Sequence, residues 1–177
     1  INIPLLTEKQ TPNFMSRKKI KVGYLGRNTH KIREELLKIY QHLDGYELIN
    51  YFGTSASKKD NKLFRKLTSK SIFTLCPRGY GPTSFRLYES INLGSIPIYI
   101  SDDFILPFQD KIDWDKLALL IKLEDIDSIH KKVEKILYNN KHIEMLNYGK
   151  ECNVKYFNME YTSNYISEQI QNFGTLS

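Results

Sequence analysis

The sequence predicts an α/β fold, a parallel sheet flanked by helices in the Rossmann-like manner. Two observations carry this. Short apolar segments rich in Ile, Val, Tyr and Phe alternate with amphipathic helical segments from residue 20 to about 139. The first four apolar segments also stop at Gly, Pro or Ser-Asp, where a strand hands over to a loop. Alternation of this kind builds βαβ units, whose right-handed crossovers place helices on both faces of one sheet.

Ile20, Val22, Tyr24 and Leu25 form the first strand, ending at Gly26. Ile32, Leu36, Leu37, Ile39, Tyr40 and Leu43 then recur at helical spacing over residues 29–43, closed by Asp44-Gly45. Tyr46 to Phe52 reads as a second strand and residues 60–68 as a short helix. Ser71 to Cys76 is a third strand, stopped by Pro77. Residues 83–93 form a helix with Gly94 at C′, and Ile96 to Ile100 a fourth strand in which Pro97 marks the start. Leu117 to Ile121 is a fifth strand. Residues 124–139 form an amphipathic helix with Ile126, Ile129, Val133, Ile136 and Leu137 inward. One or two helices complete the chain, the last over about 160–173. Residues 1–19, broken by Pro4 and Pro12, read as an arm or linker.

Of the 177 residues, 41% are hydrophobic and 12% aromatic, which excludes disorder as the main state. The net charge of +6 favours anionic partners, a class that includes nucleotides, nucleic acid, acidic sugars and membrane surfaces. No apolar run reaches the ~18 residues of a membrane span, and the N-terminus shows no secretory signal. Cys76 and Cys152 lack metal spacing and read as two buried thiols. A chain that begins at Ile1 is expected to be part of something longer.

Ligands of open parallel sheets bind beyond the carboxyl ends of the strands. The loop of residues 76–89, CPRGYGPTSFRLYE, is the most informative there. Its helix N-terminus offers free N–H groups to phosphate, and Thr83 and Ser84 suit the cap. Arg86 falls in the first turn, where a cation costs ~0.3–1 kcal/mol unless an anion is near. With Arg78 in the same loop, two arginines point to a bound dianion or pyrophosphate. Glu89 lies one turn on from Arg86, placed either to accept from a ribose diol or to form a plain surface pair.

Arg33, in the first turn of the first helix, and Arg27 before it either reach the same anion or are solvated charge. Asp102 and Asp103 follow the fourth strand, as a general base, a metal site or a turn cap. Phe104 to Phe108 is apolar enough to wall a pocket. His30, His42, His130 and His142 are scattered without metal spacing and read as surface groups. Trp114 reads as packing, and Lys131, Lys132 and Lys135 as an exposed helix face.

These motifs resemble those of the exostosin-like glycosyltransferases. The matching positions run in order: Pro77-Arg78-Gly79, Ser84-Phe85-Arg86, Glu89, Gly94-Ser95-Ile96-Pro97-Ile98, Ser101-Asp102-Asp103, Leu106-Pro107-Phe108 and Ile112-Asp113-Trp114. Weaker similarity includes Ile3-Pro4 and Arg33, and residues 140–177 are the least distinctive. Ser95 replaces the more usual Cys of the family.

The resemblance implies one half of a GT-B fold, the C-terminal, donor-binding one. Its domain division would be an arm over 1–19, the Rossmann-like domain over 20–157, and a C-terminal helix over 158–177 that crosses to the N-terminal half. It implies an inverting transfer from a nucleotide sugar, usually a UDP-sugar, to a glycan, with no metal or other cofactor. Carried over, Glu89 would bind the ribose, and Arg78, Gly79, Thr83, Ser84 and Arg86 the diphosphate, with Arg33 assisting.

Acceptor binding, and often the general base, would come from the missing N-terminal half. Asp102 or Asp103 is the alternative base or a donor-sugar contact. Relatives in animals and plants work in the Golgi lumen, and bacterial or viral ones would be cytoplasmic. The competing reading is a non-catalytic module that binds a nucleotide or partner. Nucleic acid is disfavoured, because the aromatics sit at core phases rather than between basic residues on a sheet face.

Overall fold

A computed structural model describes residues 2–5, 17–51, 57–79 and 84–174. Its centre is a five-stranded, all-parallel sheet. The strands are β1 (Ile20–Gly26), β2 (Tyr46–Asn50), β3 (Ser71–Pro77), β4 (Ile96–Ile100) and β5 (Leu119–Ile121), in the order β2-β1-β3-β4-β5. The α/β class and the strand succession are as the sequence predicts. The order reverses between β1 and β3, which makes their carboxyl ends the topological switch point.

Helices α1 (Lys31–Tyr40), α2 (Lys58–Lys70) and α3 (Phe85–Asn92) follow the first three strands. After β4 come α4 (Trp114–Leu117), α5 (Ile129–Tyr138), α6 (Lys141–Lys155) and α7 (Met159–Gly174). Ile32, Leu36 and Tyr40 of α1 and Ile129 and Val133 of α5 pack on one sheet face against Val22, Phe73, Leu75 and Ile98. The other face is covered by α2, through Phe64 and Leu67, and by α3, through Leu87, Tyr88 and Ile91. A sheet covered on both faces needs strands that are apolar throughout, and all five residues of β4 are buried.

Local chemistry sets several boundaries. Ser57 and Asp60 form a reciprocal capping box on α2, which begins two residues before the sequence pattern shows it. The α3 helix ends in a Schellman motif: Gly94 has φ +72°, its N–H donates to the Ile91 carbonyl, and Ser95 N–H donates to the Ser90 carbonyl. Pro97 is the second residue of β4, before that strand meets β5 at Ile98. The expected helix over 124–139 is two pieces, a 3-10 segment at Leu123–Ser128 and then α5. Leu117 ends α4 instead of starting β5.

In the segment expected to wall a pocket, Phe104 is half-buried and Ile105 exposed, while the rest is core. Leu106 and Phe108 are buried, and Phe108, at φ +53°, meets Tyr161 and Tyr165 edge-on at 5.3 and 4.8 Å. Trp114 is packing as expected, its Nε1 donating to the Pro107 carbonyl at 2.9 Å. Cys76 and Cys152 are both buried and free. Near the N-terminus, Pro4 is buried and Leu5 packs on the same cluster as Tyr88 and Trp114.

Candidate functional site: the β1/β3 switch point

The ladder between β1 and β3 runs from Ile20 opposite Ser71 to Gly23 opposite Thr74. Both strands continue for three more residues, to Gly26 and Pro77. Their carboxyl ends therefore splay, and the crevice opens over the loops that the sequence selects.

Two arginines bridge it. Arg86, in the first turn of α3, reaches across from the β3 side. Its Nε and Nη2 donate to the Leu25 carbonyl of β1 at 3.2 and 2.7 Å. The guanidinium carbon lies 5.6 Å from the Tyr24 ring centroid and 5.7 Å from that of Phe64, within cation–π range of both. A Cβ at Gly26 would come 2.9 Å from Arg86 Nη2, so a side chain there would crowd the guanidinium. Arg33, on α1, approaches from the other side and is only 5% exposed. Burial pushes its guanidinium below the usual arginine range, and the Tyr24 phenol opposes that shift. The Tyr24 hydroxyl is buried beside it without a well-formed hydrogen bond. Among the described residues, no carboxylate lies within 4.0 Å of either guanidinium.

Ser84 takes the N-cap position of α3 and is buried, but its hydroxyl makes no capping bond. Ser84 thus holds the cap position that the sequence predicts, without the capping bond. Among the described residues, no side chain accepts from the first N–H groups of α3. Thr83 lies outside the described residues. Gly79 is half-buried, and a Cβ there would stand 3.2 Å from Arg33 Nη2.

Glu89 is half-buried one turn into α3. Desolvation raises its carboxyl above the ordinary range, and Arg86 partly opposes that rise. Glu89 forms no ion pair with Arg86 within 4.0 Å, so the plain surface pair is absent. Behind it, Cys76 is fully buried, its thiol pushed up to about 12 by desolvation, and it supplies no thiolate.

Arg78 and Asp102 form an ion pair between the β3 and β4 loops, and Arg78 Nε is buried without a partner. This pair is what the sequence did not signal: one proposed ligand and one proposed base neutralise each other. Asp103 is exposed. His30, expected on the surface, caps α1 by accepting from Ile32 N–H at 3.3 Å, and His130 meets the Tyr46 hydroxyl at 3.2 Å. Among the described residues, no three His, Cys, Asp or Glu side chains converge as a metal site.

The arrangement is a cationic crevice at a helix N-terminus, with one half-buried carboxylate a turn deeper. It suits a ligand that carries an anion and, a few ångströms away, hydroxyl donors.

The comparisons agree with this geometry. The model of the exostosin GT47 domain matches residues 8–136. A probable glucuronosyltransferase of Physcomitrium patens is 38% identical over 98 residues, covering 50% of this chain and 21% of that protein. One from Oryza sativa subsp. japonica is 46% identical over 57 residues, 32% of this chain and 13% of its own. The chain thus matches about a fifth or less of these relatives' length. Among solved structures, the C-terminal domain of a glycosyl transferase group 1 family protein from Francisella tularensis superposes with a TM-score of 0.54 at 12% identity. That match covers 89% of this chain and 96% of that one, and it establishes the fold. The chain belongs to the exostosin GT47 domain family.

Proposed function

We propose that the chain is the donor-binding half of a GT-B, inverting glycosyltransferase that takes a UDP-sugar and extends a glycan. One observation carries the reading. At the splayed ends of β1 and β3, the Arg86 guanidinium stands in the first turn of α3 where, among the described residues, no side chain caps the helix and no carboxylate lies within 4.0 Å of it. Buried or half-buried positive charge without a counter-ion is costly, and a diphosphate supplies the counter-ion.

In this reading the diphosphate lies over the first turn of α3, held by Arg86, by the first N–H groups of the helix and by Arg78, whose pairing with Asp102 leaves its Nε without a partner. Glu89 accepts from the ribose hydroxyls. The acceptor hydroxyl attacks the anomeric carbon from the face opposite the nucleotide. The bond from that carbon to the diphosphate oxygen breaks as the new glycosidic bond forms. Charge grows on the departing oxygens, and preorganised cations and N–H groups stabilise it most at that moment.

The attacking hydroxyl loses its proton to a base, which we assign to an N-terminal half outside this chain. Asp102 is engaged with Arg78 and is a poor base; Asp103 is the exposed alternative. Because the matching relatives are named probable glucuronosyltransferases, we would try a glucuronosyl donor first.

Calorimetric titration tests the reading. UDP binds the wild-type chain, and Arg86→Ala and Glu89→Ala each weaken it about tenfold or more, ~1.4 kcal/mol. UDP affinity unchanged in both folded variants would remove the donor site from this crevice.

A further inference from the structure

The Arg33 guanidinium is turned onto backbone rather than toward the open crevice. Nε donates to the Arg78 carbonyl at 3.1 Å, Nη1 to the Arg27 carbonyl at 3.0 Å, and Nη2 to the Pro77 carbonyl at 3.2 Å. These acceptors belong to both loops flanking the splayed strand ends. The β1–β3 ladder has already stopped at Gly23 and Thr74; Arg86 takes the Leu25 carbonyl beyond it, and Arg33 ties the strand ends and the loops that follow.

We propose that Arg33 is a positioning residue, a clamp that joins the open ends of β1 and β3 and holds Arg78 and Gly79 in place for the anion. It is not itself a ligand of that anion. Three carbonyls in three directions require a planar fork with several donors. A lysine brings the same charge at a single point and cannot span them. The clamp also accounts for Gly79: a methyl group there would stand 3.2 Å from Nη2 and make the fork yield by a few tenths of an ångström. It accounts for a cation in the first turn of α1 as well, since the carbonyl oxygens offset the unfavourable helix dipole.

The inference rests on the donor-site reading for its effect on binding, while the clamp itself is readable without a nucleotide. The test compares wild type, Arg33→Lys, Arg33→Met and the milder Gly79→Ala by three measurements: thermal unfolding, residue-resolved amide exchange, and UDP titration at low and high salt.

The clamp predicts folded variants with exchange at least about tenfold faster at residues 27–29 and 78–79 and unchanged in β4, because lost clamping acts locally. It predicts that Lys and Met lose UDP affinity equally, by about tenfold, and keep the wild-type dependence on salt, since no phosphate contact is lost. Gly79→Ala shows the same pattern at smaller amplitude and carries the test if the Arg33 variants do not fold.

Full affinity in Arg33→Lys, or a shallower salt dependence in Arg33→Met alone, would make Arg33 a phosphate ligand and overturn the clamp. Wild-type exchange at both loops in every variant would overturn it too. Faster loop exchange in a chain that never binds a nucleotide would uphold the clamp and sink the donor reading instead.

Discussion

In the proposed reading, Glu89 joins donor recognition to stability. Its carboxyl is raised by burial, so between the ordinary glutamate pKa of about 4.3 and its folded value, the folded chain binds more protons than the unfolded one. Stability from this group therefore falls as pH rises through that window and stays lower at neutral pH. Glu89→Gln is expected to raise the melting temperature at pH 7, with the gain vanishing below pH ~4. A melting temperature lowered at pH 7 would mean that the carboxylate is satisfied in the folded state. The same substitution weakens UDP, so stability and binding move in opposite directions, the mark of a group kept for function.

At this scale the sequence was readable where side chains face a loop and silent where they meet backbone. Arg78, Arg86 and Glu89 stand out by type and spacing. The acceptors of Arg33 are carbonyls, which carry no sequence signal. Tyr24 and Phe64 reach Arg86 only through the fold, and the Arg78–Asp102 pair joins positions 24 apart.

Between elements, the alternation of strand and helix was legible because the strands other than β2 are mostly apolar and every early helix has one apolar face. What the pattern missed lies where a short-range contact overrides it. Ser128 Oγ donates to the Asp125 carbonyl at 2.7 Å in the tight turn that divides the expected helix over 124–139. Phe104 to Phe108 has a pocket's composition, but α7 brings Tyr161 and Tyr165 onto it, a pairing of distant segments.

Two element-level predictions follow from the caps. Gly94→Ala forces a Cβ into the left-handed region and is expected to cost ~1–2 kcal/mol, read by denaturant unfolding. Lys18 donates to the carbonyls of Ser69 and Gly94, tying the ends of α2 and α3 opposite the site. Burial lowers its ammonium from 10.5 to about 8. Between those values the unfolded chain holds a proton that the folded chain has released, so this group adds stability as pH rises. Lys18→Met is expected to flatten the stability profile over pH 8 to 10.5; an identical slope in both proteins would contradict that burial.

For the molecule as a whole, the +6 net charge is a poor guide to the site. On α2, Lys58, Lys59, Lys62, Arg65, Lys66 and Lys70 face a single carboxylate, Asp60, and all but Lys70 of these cations are exposed. Most of the excess charge is therefore a helix surface, whereas the crevice cations, Arg33, Arg78 and Arg86, are buried or half-buried. Strand order locates the candidate site better than net charge, because the 2-1-3-4-5 order fixes one switch point, and Arg78, Gly79, Arg86 and Glu89 of the matched motifs lie around it while Gly94, Phe108 and Trp114 serve packing elsewhere.

The most direct measurement is amide chemical-shift mapping of the isotope-labelled chain with UDP. The account predicts saturable shifts concentrated at residues 26–29, 78–79 and 84–89, with the carboxyl ends of β1 and β3 moving and the exposed face of α2 still. Shifts confined to α2, or spread without a centre, would contradict a donor site at the switch point.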